Sequence, residues 1–248
     1  KPSQYTPLTA YILAELIDEA GYPAGVFNLV TGCGPEVGNA LALHPDVRML
    51  SFTGSTAAGR EVARLALSNI KRIALELGGK SAAILLPGGD WEFGVKAVLD
   101  TVVLNAGQTC NALTRLLVPA AEQEKANEII LNTLKQYKKG SNADPESDIG
   151  PLSSRRQFDR VKKYIQIGID EGATLLCGGL PGQDAEYRID PTVFVNVKPG
   201  MRIEKEEIFG PVLPVMTYEK LDECIRFIRS REKPLALYLF TKDRADER

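Results

Sequence analysis

One cysteine and one glutamate stand in contexts that suit covalent chemistry. Cys110 closes Asn105-Ala106-Gly107-Gln108-Thr109-Cys110, and Glu76 opens Glu76-Leu77-Gly78-Gly79-Lys80. A thiolate is the strongest nucleophile among common side chains, and a carboxylate in apolar surroundings can be raised toward a useful base. One group can attack a carbonyl, and the other can activate the water that releases what the first has captured. His44 is the single histidine, so the Cys–His pairing of cysteine proteases has little to draw on. Cys110 follows a predicted helix in a polar, glycine-bearing stretch, whereas structural cysteines sit in apolar runs. That context favours a reactive thiol. Glu76 lies in a predicted strand between Leu75 and Leu77, where a carboxylate must reach a cleft or a partner. The residues alone leave two readings open: a catalytic base, or an acid paired with Lys71 or Lys80.

Two glycine turns could hold phosphate. Gly54-Ser55-Thr56 follows a strand, and Ser55 suits a helix N-cap. The free N–H groups and positive dipole end of such a helix favour an anion. Ordinary capping explains the same residues, and the two readings coexist. Gly32-Cys33-Gly34-Pro35-Glu36-Val37-Gly38 has one residue more than the dinucleotide fingerprint, so Gly34 is equally well explained by a tight turn. Glu206-Glu207 precedes Ile208-Phe209-Gly210-Pro211, which suggests a fixed turn presenting one acid inward rather than a solvated acidic pair.

These residues need a scaffold, and the hydrophobic rhythm predicts one. Helices are expected over 6–20, from Gly34-Pro35, from Ser55 to about Asn69, over 91–104, 121–138 and 153–171. Strands are expected over 26–30, 49–53, 73–77, 82–86, 114–118, 173–177, 192–197, 212–218 and 235–240. Residues 139–152 and 178–191 read as loops. The alternation is βαβα, which implies an α/β fold with a parallel sheet and helices on both faces. A boundary between two α/β domains is placed at Gly78-Gly79, giving 1–78 and 79–248.

Composition narrows the function classes. With 44% hydrophobic and 25% charged residues in 248, the chain is globular, and a net charge of −2 gives no reason to expect nucleic acid as a partner. No apolar run approaches the roughly 20 residues a membrane helix needs. The four cysteines, Cys33, Cys110, Cys177 and Cys224, show no CxxC spacing. With one histidine, no metal site is expected. Cys33, Cys177 and Cys224 read as small core or loop residues. A functional free thiol fits a reducing, cytoplasmic setting. The first residue is Lys1 rather than methionine, and the chain reads as a segment of a longer one.

The strings LELGGKSAAILL and NAGQTC resemble the two active-site signatures of the aldehyde dehydrogenase superfamily. FTGSTAAGR (52–60) and EEIFGPV (206–212) are similar to its cofactor-binding strings, in the family's order. The resemblance implies the later part of a Rossmann-like cofactor domain followed by most of an α/β catalytic domain, with family chains extending beyond both ends. It makes Cys110 the nucleophile and Glu76 the base. It sets Gly54 and Ser55 at the pyrophosphate of NAD or NADP, Lys1 and Gln4 at the adenosine ribose, and Glu207 at the nicotinamide ribose. Leu77, Gly78 and Phe209 then lie near the nicotinamide, while Thr109 and Asn111 line the inner end of an aldehyde tunnel. The family often has a glutamate where Gln4 stands, so NADP use alongside NAD is expected. A second oxyanion donor is an asparagine upstream of Lys1. The full-length parent is expected to form a homo-oligomer, a dimer or tetramer. Two alternatives are a CoA-acylating semialdehyde dehydrogenase, for which Glu76 is not required, and a fold relative or fragment without turnover.

Overall fold

A computed structural model describes residues 1–182, 185–230 and 235–242. The chain divides into two units, Lys1–Leu77 and Gly78–Arg248. In the first, α1 (Leu8–Glu19) precedes a wide turn at Gly34–Gly38 that runs into the short α2 (Asn39–Leu43). Then come β1 (Met49–Gly54), α3 (Thr56–Ala66), a tight turn at Leu67–Asn69 and β2 (Arg72–Leu77). β1 and β2 pair in parallel, with Thr53 opposite Glu76 and Gly54 opposite Leu77. The strand expected over Val26–Val30 does not form. A strand exists only by bonding a neighbour, and among the described residues β1 and β2 pair with each other alone.

The second unit has a six-stranded sheet in the order β5-β6-β7-β4-β3-β8. Its strands are β3 (Ala82–Leu85), β4 (Leu116–Pro119), β5 (Thr174–Cys177), β6 (Thr192–Val195), β7 (Val212–Tyr218) and β8 (Leu237–Phe240). All pairings are parallel except β5 with β6. No helix crosses over between those two among the described residues, and a parallel return would need one. The helices are α4 (Trp91–Val103), α5 (Gln123–Leu134), α6 (Arg155–Asp170), α7 (Arg202–Lys205) and α8 (Leu221–Arg229). The sequence reading placed no helix at α7 or α8. Leu221, Cys224 and Ile228 have helical spacing in α8, so its signal was present.

Strand alternation explains the two cores. Ala82 and Ile84 of β3 face one cluster with Phe158, Val161 and Ile165 of α6. Ala83 and Leu85 face the other, with Val95, Val98 and Leu99 of α4 and Ile130 of α5. Both faces of the sheet are therefore covered, and the strands read as continuous apolar runs.

Candidate active site

In the first unit, the candidate residues gather at the C-terminal ends of two parallel strands. The register sets Gly54 beside Leu77, with Ser55 following and Glu76 one residue before. The crevice outside the carboxyl ends of parallel strands is where α/β sheets bind ligands. Ser55 caps α3, its Oγ accepting from the Ala58 N–H at 3.2 Å. The N–H groups of Thr56 and Ala57 have no intrahelical partner, as first-turn groups never do. Gly54 is also required by packing, because a Cβ there would come within 2.6 Å of the Phe52 ring. Leu77 packs its side chain where a Cβ on Gly59 would stand, which draws β2 and α3 together.

Glu76 corrects one expectation. It is exposed at the strand end rather than held in apolar surroundings. The Lys71 pairing does not form, since the Lys71 ammonium donates to the His44 carbonyl at 2.5 Å, and Lys80 Nζ has no hydrogen-bond partner among the described residues. Lys1 and Gln4 are exposed, with Lys1 Nζ donating to the Pro2 carbonyl and Gln4 in a turn. Gly34 opens the wide turn, and a methyl there would meet nothing within 4 Å. The fold itself does not need glycine at that place.

In the second unit, three segments meet at glycines. The first is Gly78-Gly79-Lys80, the second the Asn105–Cys110 loop, and the third Glu207–Pro211. A Cβ on Gly78 would overlap the Glu207 carboxylate. A Cβ on Gly79 would lie 3.1 Å from the Cys110 carbonyl. A Cβ on Gly107 would overlap Gly210 and the Pro211 nitrogen. Glycine is thus demanded where the segments touch: a side chain at Gly78 would displace the Glu207 carboxylate, one at Gly107 the Gly210-Pro211 backbone, and one at Gly79 would meet Leu235 at 2.6 Å as well as the Cys110 carbonyl.

The cysteine loop is held in an unusual backbone. Asn105, Ala106 and Gly107 all have left-handed φ, at 51°, 52° and 72°. Strain of about 1–3 kcal/mol per non-glycine residue persists only where the surroundings over-determine it. The buried Gln108 supplies that constraint. Its amide donates to the Asn105 carbonyl at 2.9 Å, and its oxygen accepts from the Ser153 N–H at 3.0 Å. Cys110 emerges from this loop exposed.

The Glu207 turn is held from α6. Arg160 donates to the Glu207 carbonyl at 2.5 Å and to that of Ile208 at 3.2 Å. Gln157 donates to the Phe209 carbonyl at 2.6 Å. Phe209 itself has φ 61°. Glu206 faces the other way, bound by Tyr164 at 2.5 Å and Arg202 at 2.8 Å. Those bonds hold its pKa down at about 2, the Arg202 hydrogen bond contributing most. The acidic pair therefore splits: Glu206 is tied to α6 and α7, and Glu207 lies half-buried against Gly78.

The model of the aldehyde dehydrogenase family matches residues 1–247. The chain belongs to this family. A 3-succinoylsemialdehyde-pyridine dehydrogenase of a Pseudomonas species is 46% identical over 229 residues, covering 91% of this chain and 48% of that protein. Aldehyde dehydrogenase C of Pseudomonas syringae, a cysteine-to-alanine variant solved with NAD+ and octanal, superposes with a TM-score of 0.94 at 41% identity. It covers 98% of this chain, which spans 50% of it. An aldehyde dehydrogenase of Bartonella henselae superposes equally well at 42% identity, with 98% and 52% coverage. The chain spans about half the length of the curated relatives it matches.

Sequence reasoning missed the residues that hold the two loops. Gln157, Arg160 and Tyr164 recur at i, i+3 and i+7 beside the buried stripe of α6, and that spacing was the available signal. Arg115 and Glu204 were missed too, and Lys80 was offered only as a partner for Glu76. All three are buried, and a single buried ion leaves no periodic mark in the sequence.

Proposed function

We propose that the full-length protein oxidises an aldehyde to a carboxylic acid, passing hydride to NAD+ or NADP+. The observation that carries this reading is the Gly78-Gly79 pair, which backs at once onto the Glu207 carboxylate and the Cys110 carbonyl. That contact sets an exposed thiol and a ribose-binding type of acid on one rigid support. Residues on this chain fit a dinucleotide: first-turn N–H groups of α3 suit its pyrophosphate, and a carboxylate such as Glu207 suits ribose hydroxyls.

In this reading the Cys110 thiolate adds to the aldehyde carbon, forming a C–S bond and a tetrahedral oxyanion. The Cys110 N–H is a candidate donor to that oxyanion. NAD(P)+ supplies the hydride acceptor. Loss of hydride leaves a thioester on Cys110. Glu76 takes a proton from water, the hydroxide adds to the thioester, and the C–S bond breaks to return the thiolate and release the acid. Overall, aldehyde, NAD(P)+ and water become carboxylate, NAD(P)H and two protons. Glu207 and Phe209 position the nicotinamide ribose and ring. No step in this reading uses a metal ion.

The test is absorbance of the reduced cofactor when the full-length protein meets NAD+ or NADP+ and a panel of aldehydes. Turnover is expected, and Cys110→Ala should lower kcat by at least about a thousandfold, as loss of a nucleophile does. Iodoacetamide should label Cys110 before Cys33, Cys177 and Cys224. A fully active Cys110→Ala protein would overturn the reading.

A further inference from the structure

Each of the three site segments adjoins one member of a buried polar cluster that the reaction above does not use. Lys80 follows Gly78-Gly79, Arg115 lies five residues after Cys110, and Glu204 lies three residues before Glu207. Arg115 is 1% exposed and Glu204 0%. The Arg115 guanidinium forks between the other two. Its Nη2 donates to the Lys80 carbonyl, and its Nη1 meets Glu204 Oε1 at 3.4 Å. The other Glu204 oxygen accepts from the Gly200 N–H at 2.9 Å. The guanidinium carbon lies 5.6 Å from the centre of the Phe227 ring. The Lys80 side chain is buried too, and burial above all lowers its pKa to about 7.

The backbone fixes the same segments just beyond the fork. The Ala83 N–H donates to the Arg115 carbonyl at 2.8 Å, so β3 and β4 are in register from there on. That ladder does not reach the Gly78–Lys80 turn, and the Arg115 side chain does. The turn carries the contacts that build the site, with Gly78 against the Glu207 carboxylate and Gly79 against the Cys110 carbonyl. A planar guanidinium holds several N–H donors in fixed directions, so it can tie two acceptors on separate segments at a set spacing. An ammonium is a point charge and cannot.

We propose that Arg115 is a positioning residue for hydride transfer. By holding the Lys80 carbonyl and Glu204 together, it fixes how far the Gly78-Gly79 support and the Glu207 turn stand from the Cys110 segment. This rests on the dinucleotide reading above, in which Glu207 holds the nicotinamide ribose and Cys110 holds the aldehyde carbon. Reacting atoms must lie about 3–3.5 Å apart, and about 1 Å of misplacement costs about a hundredfold in rate. Acylation of the thiol and hydrolysis of the thioester do not depend on the nicotinamide, so the effect is confined to the hydride step.

The experiment gives the full-length protein two substrates. One is an aldehyde with saturating NAD+ or NADP+, in its ordinary and 1-deuterio forms, with the burst of reduced cofactor as the readout. The other is p-nitrophenyl acetate. Its acetyl group passes to the Cys110 sulfur with release of nitrophenolate, and water then frees acetate with no hydride step. Arg115→Lys keeps a cation beside Glu204 but loses the fork. Its burst should slow by about tenfold or more, with a deuterium effect no smaller than that of wild type, while ester turnover stays within about twofold. Arg115→Met combined with Glu204→Met leaves no lone buried charge to unfold the protein, and it should show the same split. Equal losses with both substrates, a smaller deuterium effect, or an unchanged burst in either folded variant would overturn the inference and leave the dinucleotide reading intact. A wild-type protein that hydrolyses the ester and reduces neither NAD+ nor NADP+ would overturn both.

Discussion

The two units use the same helices and strands and bury very different amounts. Gly78 onward builds cores on both faces of six strands, with Val98, Leu99, Ile130, Ile165 and Leu213 wholly enclosed. Lys1–Leu77 encloses Ala42, Leu65 and Ala66. In its first helix no residue is buried, and Leu8, Ile12 and Leu16 stay 74%, 55% and 56% exposed. Apolar periodicity therefore makes an element amphipathic without supplying the surface it packs on. Two strands offer too little sheet to cover a helix on each face.

The contrast can be broken most directly by stability. Leu99→Ala should cost about 3 kcal/mol, the cost of a cavity in a closed core. Ile12→Ala in the same chain should cost less than about 1 kcal/mol, since its side chain already meets water. Urea unfolding of these 248 residues measures both. Equal costs would mean that α1 is covered, and the contrast would fall.

Chemistry offers a sharper comparison, because the proposed nucleophile, Cys110, is in one unit and the proposed base, Glu76, in the other. Glu76→Gln in the full-length protein should still release a burst of reduced cofactor through Cys110, then turn over about a hundredfold more slowly. Rapid-mixing absorbance separates the two phases. Unchanged steady-state turnover would confine the chemistry to the second unit.

Lys80 predicts a pH effect belonging to the second unit alone. Its folded pKa of about 7 lies below its ordinary 10.5. Between those values the unfolded chain holds a proton that the folded chain lacks, so folding stability from this group rises with pH. Below about 7 both states are protonated and the slope vanishes. From pH 7.5 to 9, wild type should gain about 2 kcal/mol over Lys80→Met, at about 1.4 kcal/mol per pH unit. Urea midpoints of both proteins at the two pH values check it. A constant difference would show that Lys80 is protonated throughout.

The smallest effect belongs to the first unit. Gln4→Glu in the full-length protein should raise the ratio of kcat/KM for NAD over NADP about tenfold, because a carboxylate repels a 2′-phosphate that an amide tolerates. An unchanged ratio would remove Gln4 from cofactor choice.

Much of this fold was legible because local rules and tertiary demands agree. The apolar runs of β3, β4 and β7 mark strands buried on both sides, and Ser55 begins a helix as its side chain caps a first-turn N–H group. The family was legible too, since four strings recur in order along the chain. Val26–Val30 was misread because its composition suits a strand while no neighbour bonds it. The Gly78, Gly79 and Gly107 contacts could not be foreseen, because each joins residues far apart in sequence. Nor could the division of Glu206 from Glu207, since adjacent acids have one composition and α6 alone decides which is bound.

By itself, then, the sequence determined the α/β class, the positions of most elements, the family and the residue types able to do chemistry. Those properties follow from periodicity, capping and local spacing, which act within a few residues. Only the tertiary structure decided which backbones touch, which acid faces Gly78, that Glu76 is exposed, and that Lys80 is buried. Such facts depend on close packing and on charge at short range, and both are set by segments that the chain brings together only when it folds.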